Sequence, residues 1–94
     1  MSQVELSSRA VRDVKSMQRQ DRARVLAALE ETLGAAELPP NADVKALTGR
    51  TPWRRLRIGE WRVIYRPCTA DEPGDVLVSR VVNRRDLDQA MTRL

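Results

Sequence analysis

The chain has 94 residues, no histidine, one cysteine and a formal net charge of +4. The missing histidine excludes Ser-His-Asp and Cys-His catalysis, imidazole-ligated zinc and histidine general bases, and the lone Cys68 excludes an internal disulfide or a cysteine-rich metal site. The excess charge is confined to the second half: residues 1–45 hold seven Lys/Arg and seven Asp/Glu, and residues 46–94 hold ten and six.

That excess is carried by arginine, whose planar guanidinium binds phosphate bidentately and stacks on bases. It points to an acidic partner, with nucleic acid first and an acidic protein segment second. The length supplies one modest core, so residues 1–94 are expected to form one domain. Residues 1–10 lack the apolar core of a signal peptide, and no apolar run approaches the ~18 residues of a membrane span. With a single free thiol, a soluble protein of the reducing cytoplasm is expected.

In chain order, Gln3-Val4-Glu5-Leu6 alternates as a short strand and runs into Ser7-Ser8, either of which can cap a helix. Ala10, Val14 and Met17 follow at i, i+4 and i+7, the stripe of an amphipathic helix. Asp21 offers a second cap before Val25, Leu26, Leu29 and Leu33, with Gly34 placed to stop that helix, and the two helices form a hairpin. Residues 35–50, with Pro39-Pro40-Asn41 and Thr48-Gly49, read as a connection rather than an element. Pro73-Gly74 marks a turn, and the mostly apolar Val76–Val82 reads as a central strand buried on both faces. Leu87, Ala90, Met91 and Leu94 give a last helical stripe, with Asp86 and Gln89 spaced as a capping box. The order is β-α-α-β-β-β-α: an α+β domain with an antiparallel sheet and a helical hairpin packed, with the other helix, on one side.

Residues 53–65 carry the strongest signal. Two alternating runs flank Gly59-Glu60, a two-residue hairpin turn led by glycine. Ile58 then lies opposite Trp61, Arg57 opposite Arg62, Leu56 opposite Val63, Arg55 opposite Ile64, Arg54 opposite Tyr65 and Trp53 opposite Arg66. Period-two alternation puts Leu56, Ile58, Trp61, Val63 and Tyr65 on a core face with Arg54 at its rim. It puts Arg55, Arg57, Arg62 and Arg66 on the other face with Trp53 and Ile64. Opposed like charges cost up to about 1 kcal/mol on a sheet, so Arg57 facing Arg62 has two readings. One is a pair of solvated arginines on a charged hairpin; the other is an anion held between them.

This order, with Asp43-Val44-Lys45-Ala46-Leu47-Thr48-Gly49 ahead of the Trp-Arg-x-Leu-Arg-x-Gly-x-Trp-Arg-Val-Ile-Tyr hairpin and Asn83-Arg84-Arg85-Asp86 after the last strand, resembles the RelE/ParE toxin superfamily, on its RelE side. The resemblance runs through nearly the whole chain. It implies a small bacterial toxin of a type II toxin-antitoxin system, neutralised by a cognate antitoxin, that enters the ribosome and cuts mRNA. The cleavage it implies needs no metal or cofactor: the 2′-hydroxyl attacks the adjacent phosphorus. Carried over residue by residue, it makes Arg55, Arg57, Arg62 and Arg84 the catalytic candidates. Lys45, Trp53, Arg54, Arg80 and Arg85 are the further RNA-binding candidates, although Trp53 reads equally well as packing and Lys45 as a solvated loop residue. Where many relatives have a histidine this chain has Asn83, and where they have a functional tyrosine near the C-terminus it has Asp88. Arginines clamp a phosphate and stabilise its developing charge but are poor bases, so positioning must do most of the work. Three other functions stay open: inhibition of DNA gyrase, as in the ParE branch, a weakened member that mainly binds its antitoxin, and a general nucleic-acid binder without toxicity, whose binding would fall steeply with salt.

Overall fold

Ser7 closes one element and opens the next. Strand β1 (Val4–Leu6) lies parallel to β5 (Val76–Asn83). Where β1 stops, the Ser7 N–H donates to Val78 O at 2.9 Å and its hydroxyl donates to Ser79 O at 2.7 Å. The same hydroxyl accepts from the Ala10 N–H at 3.1 Å, capping helix α1 (Ser8–Lys15) while tying its start to the sheet. The computed structural model describes residues 2–94, so Met1, the first residue of the expected domain, lies outside the described residues.

Helix α1 and the turn after it bury Ala10, Val14 and Met17, the expected stripe. Helix α2 (Arg19–Thr32) starts before Asp21: Gln18 is its N-cap, with no side-chain bond, and Asp21 sits in the first turn. There the carboxylate faces the positive end of the helix instead of capping it. Val25, Leu29 and Leu33 are buried, but Leu26 is 40% exposed, because it stands about 100° round the helix from Val25. Gly34 follows the helix as expected. Its N–H donates to Leu29 O at 2.9 Å, and a Cβ at this position would lie 2.7 Å from the Glu30 carbonyl oxygen.

The expected α+β layering is present, and three details differ from the sequence reading. First, the 35–50 connection contains a strand, β2 (Val44–Ala46), paired antiparallel to β3 (Arg54–Ile58) with Lys45 opposite Arg55. Three residues centred on a lysine are too short to display alternation, and short charged strands are typical of sheet edges. Second, the sheet is mixed: its order is β1-β5-β4-β3-β2, with β4 (Trp61–Pro67) antiparallel to both neighbours and only the β1–β5 pair parallel. Third, the helices do not all pack on one side. The α1–α2 hairpin covers the face of Leu56, Ile58, Val63, Tyr65, Val78 and Val81. The C-terminal helix α3 (Leu87–Met91) follows a 3-10 turn (Arg84–Asp86) and covers part of the opposite face, where Ile64, Val82 and Ala90 are buried against Leu47 and Trp53. Arg50 fastens this second layer, its Nη1 donating to Met91 O at 2.6 Å. The Asp86–Gln89 capping box does not form through side chains: Asp86 makes no capping bond, and Asn83 Oδ1 instead accepts from the Arg85 N–H at 3.3 Å.

The hairpin pairs in the register its sequence predicts, from Ile58–Trp61 through Arg54–Tyr65. Gly59 has φ +58°, and no non-glycine residue among those described has positive φ. This is the type II′ arrangement, with glycine at the first turn position. No helix among the described residues is long and apolar enough to cross a membrane.

The β4–β5 connection is closed by charge. Arg66 Nη1 and Nη2 donate to the two Glu72 carboxylate oxygens at 2.6 and 2.9 Å, and the Thr69 N–H donates to the same carboxylate at 2.8 Å. The Arg66 bonds, with the Thr69 N–H second, lower the Glu72 pKa from its ordinary 4.5 to about 2. A depressed carboxyl stabilises the fold above its unfolded pKa and loses that contribution as pH falls through the folded one. Chemical denaturation should therefore show stability declining between about pH 4.5 and 2, and Glu72→Gln should flatten that stretch of the profile.

Candidate nucleic-acid interface

Alternation across β2, β3 and β4 puts Lys45, Arg55, Arg57 and Arg62 on the α3 side of the sheet, in the rows Lys45–Arg55–Ile64 and Arg57–Arg62. Helix α3 covers this face around Ile64 and Val82, and the arginines occupy the part beside the hairpin turn. Arg84 joins them from the far side. Its N–H donates to Glu60 O at 2.9 Å and its Nε lies 2.9 Å from the Glu60 carboxylate, because Asn83 pairs with Trp61 at the end of β5. The four catalytic candidates thus surround one end of one hairpin.

Oxygens already stand between these cations. Arg55 Nη1 is 3.4 Å and Arg57 Nη1 3.9 Å from the Asp43 carboxylate, which is placed beside them because the Arg57 N–H donates to Asp43 O at 2.9 Å. Arg57 Nε and Arg62 Nη1 both donate to the Gly59 carbonyl, at 3.4 and 2.9 Å, and Arg62 also donates to Trp61 O at 3.1 Å. A shared turn carbonyl offsets part of the repulsion between the opposed pair. Two carboxylates, Asp43 and Glu60, face four guanidinium groups, which leaves a surplus of two positive charges before Lys45 is counted. Arg62 feels this most: burial first, then Arg57, Arg55 and Arg84, push its pKa below the ordinary guanidinium value, with Glu60 opposing them. A phosphate seated here would reverse the sign of that local field and supply charge-assisted acceptors.

The remaining RNA-binding candidates are dispersed. Arg54 is exposed on the opposite face, paired in register with Tyr65. Trp53 is half-buried in the α3 layer, and the Arg66 guanidinium lies 5.4 Å from its ring centroid; of its two readings, the structure supports packing. Arg80 is held by Asp13, Nε to Oδ2 at 2.8 Å and Nη2 to Oδ1 at 3.1 Å, and Asp13 also accepts from the Val81 N–H at 2.9 Å. Its contacts are those of a brace between α1 and β5. Arg85 is exposed, one residue beyond Arg84, on the other side of the 3-10 turn from the hairpin. Lys45 is exposed on the edge strand beside Arg55.

Neither Asn83 nor Asp88 is positioned as an acid or base beside the four arginines. The Asn83 side chain is engaged in capping the 3-10 turn. Asp88 is exposed in the first turn of α3. Tyr65, the only tyrosine, is 6% exposed in the core, and burial raises its phenol pKa. The Cys68 thiol is likewise pushed up by burial, the opposite of an activated nucleophile. Sequence reasoning passed over three groups at the cluster's edge: Asp43, Glu60 and Arg24. Arg24 reaches from α2 to the turn, where a Cβ on Gly59 would meet its Nη2 at 2.8 Å. Asp43 had a signal, since it opens the segment that ends at Thr48-Gly49; Arg24 had none, being one exposed arginine on a charged helix face.

A small mixed sheet, an N-terminal helical hairpin on one face and an arginine-rich β-hairpin beside a C-terminal helix on the other define a RelE/ParE-like toxin architecture. Residues 4–87 match the family described as the ParE toxin of the type II toxin-antitoxin system, parDE, and the chain belongs to that family. Among solved structures it is similar to the RelB-RelE antitoxin-toxin complex from Methanococcus jannaschii, at TM-score 0.69 and 21% identity, over 90% of this chain and 95% of that one. It is also similar to the conserved hypothetical protein HP0894 from Helicobacter pylori, at TM-score 0.59 and 20% identity, over 93% and 99% of the two chains. Comparison with curated proteins gives no match.

If Arg80 is a brace, losing its partner must cost stability. Asp13→Ala leaves a mostly buried guanidinium and the Val81 N–H without acceptors and should lower unfolding free energy by about 1–3 kcal/mol. A double-mutant cycle with Arg80→Ala should recover most of that as coupling.

Proposed function

We propose that this toxin acts on RNA, with Arg57 and Arg62 on the scissile phosphate and Arg55 and Arg84 on its neighbours. The observation that carries this reading is the convergence of four guanidinium groups at one hairpin end against only two carboxylates. The reaction class it fits is cleavage of messenger RNA on the ribosome. The 2′-oxygen forms a bond to the adjacent phosphorus, the P–O5′ bond breaks, and a 2′,3′-cyclic phosphate and a 5′-hydroxyl result. The hydroxyl proton leaves as the bond forms, and the departing 5′-oxygen takes one up. Guanidinium groups stabilise the charge that builds on the non-bridging oxygens, and the ribosome holds the message so that attack is in line. Of the cluster's two carboxylates, Asp43 and Glu60, we assign the proton acceptance to Asp43, which lies beside Arg55 and Arg57. The natural antagonist is a cognate antitoxin whose acidic segment replaces the phosphate on these arginines. A RelB-RelE antitoxin-toxin complex is one of this chain's structural neighbours.

A second reading is inhibition of DNA gyrase. It is favoured by the parDE description of the matching family and by a site without histidine or an accessible tyrosine. One pair of assays separates the two. Purified protein added to translating ribosomes should cleave message, and Arg57→Ala with Arg62→Ala should reduce the rate at least about a hundredfold while leaving the fold intact. Strong inhibition of gyrase supercoiling with no cleavage by the wild type would reverse the assignment.

A further inference from the structure

A second basic surface lies round the corner from the arginine cluster. Between α1 and α3, along the part of β5 that β1 does not reach, runs an open groove of about 890 Å³. Arg9 and Arg12 stand on its α1 wall and Arg85 and Arg93 at its α3 end. All four are exposed, and none has an ion-pair partner among the described residues. The Asp13–Arg80 pair in the lining is mutually neutralised, and Asp86 also lines the groove, so four arginines face one carboxylate and the walls keep a surplus of three positive charges.

The chemistry of the walls selects the occupant. Small-molecule clefts are lined mainly by apolar side chains, and specific protein interfaces have an apolar centre. In this groove Val81, Val82 and Ala90 are buried, Trp61 is the one large apolar member and is half-buried, and the exposed large apolar residues among those described, Val11, Leu26 and Leu38, lie elsewhere. Polar, strongly positive surfaces are characteristic of nucleic-acid contacts. The groove is also continuous with the cluster. Arg84 reaches Glu60 on the hairpin turn while the next residue, Arg85, lines the groove, and Trp61, the second residue after Gly59, lines it as well.

We propose that the groove is a second backbone-binding track for single-stranded RNA, taking the phosphates that flank those held at the hairpin cluster as the strand passes over the Asn83–Arg85 turn. This rests on the RNA reading of the cluster, and the experiment tests the two independently. Binding of labelled single-stranded RNAs of about four and about twelve nucleotides would be measured across a salt series. Three proteins are compared: the wild type, an Arg9→Ala, Arg12→Ala, Arg93→Ala variant, and an Arg57→Ala, Arg62→Ala variant. The groove variant should bind the short RNA as the wild type does. It should bind the long one about tenfold more weakly at low salt, with the slope of log affinity against log salt smaller by about 2 for three lost contacts. The cluster variant should lose affinity for both. Equal binding of the long RNA by wild type and groove variant would overturn the proposal, as would absence of any RNA binding by the wild type at low salt. So would a groove variant that keeps RNA but loses an acidic antitoxin peptide, which would give the groove to a protein partner. If instead the groove variant weakens and the cluster variant does not, the track stands and the cluster's assignment fails.

Discussion

The β3–β4 hairpin can bury Leu56, Ile58, Val63 and Tyr65 against the helices only by presenting Arg55, Arg57 and Arg62 on its other side. Alternation on a strand admits no third option, so core and basic site are one pattern read from two faces. The site inherits the rigidity of the sheet, since moving Arg57 relative to Arg62 would require moving Leu56 relative to Val63, both 1% exposed or less. Gly59 makes the pattern possible. Its positive φ allows a two-residue turn, and the same turn presents its carbonyl to both opposed guanidinium groups.

Cations gathered this closely need something to offset their repulsion in the free protein. Asp43 and Glu60 do so at the surface, where ion pairs are worth little and exchange readily with other anions. The contrast with Asp13–Arg80 is instructive. That pair is bidentate, mostly shielded and also satisfies a strand N–H, so it serves the fold. The Asp43 contacts are long and the Glu60 contact is more than 60% exposed on both sides, so they contribute little to the fold. Arginine number alone does not separate these roles; the geometry of each arginine's partner does.

The same distinction explains what was legible in the sequence. The hairpin register, the α1 stripe and the Ser7 cap follow from local rules of period and capping, and Arg55, Arg57 and Arg62 share a face for that reason. Strand β2 was hidden because three residues carry no period. The covering of Ile64, Val82 and Trp53 by α3 was hidden because a five-residue helix can return to either face of a sheet, and contacts such as Arg50 to Met91 decide which. Arg54 and Arg80 show that an arginine near the motif need not join the cluster. One sits on the opposite face by parity, and the other is claimed by an aspartate 67 residues away in the chain.

The C-terminal turn joins these themes. The Asn83 side chain holds the 3-10 turn that sends Arg84 one way and Arg85 the other. The side chain at this position thus serves as a backbone acceptor that sets where two cations point. With Tyr65 locked in the core, the titratable groups of the cluster are carboxylates, guanidiniums and the Lys45 ammonium. Such a composition favours anions through charge and hydrogen-bond geometry.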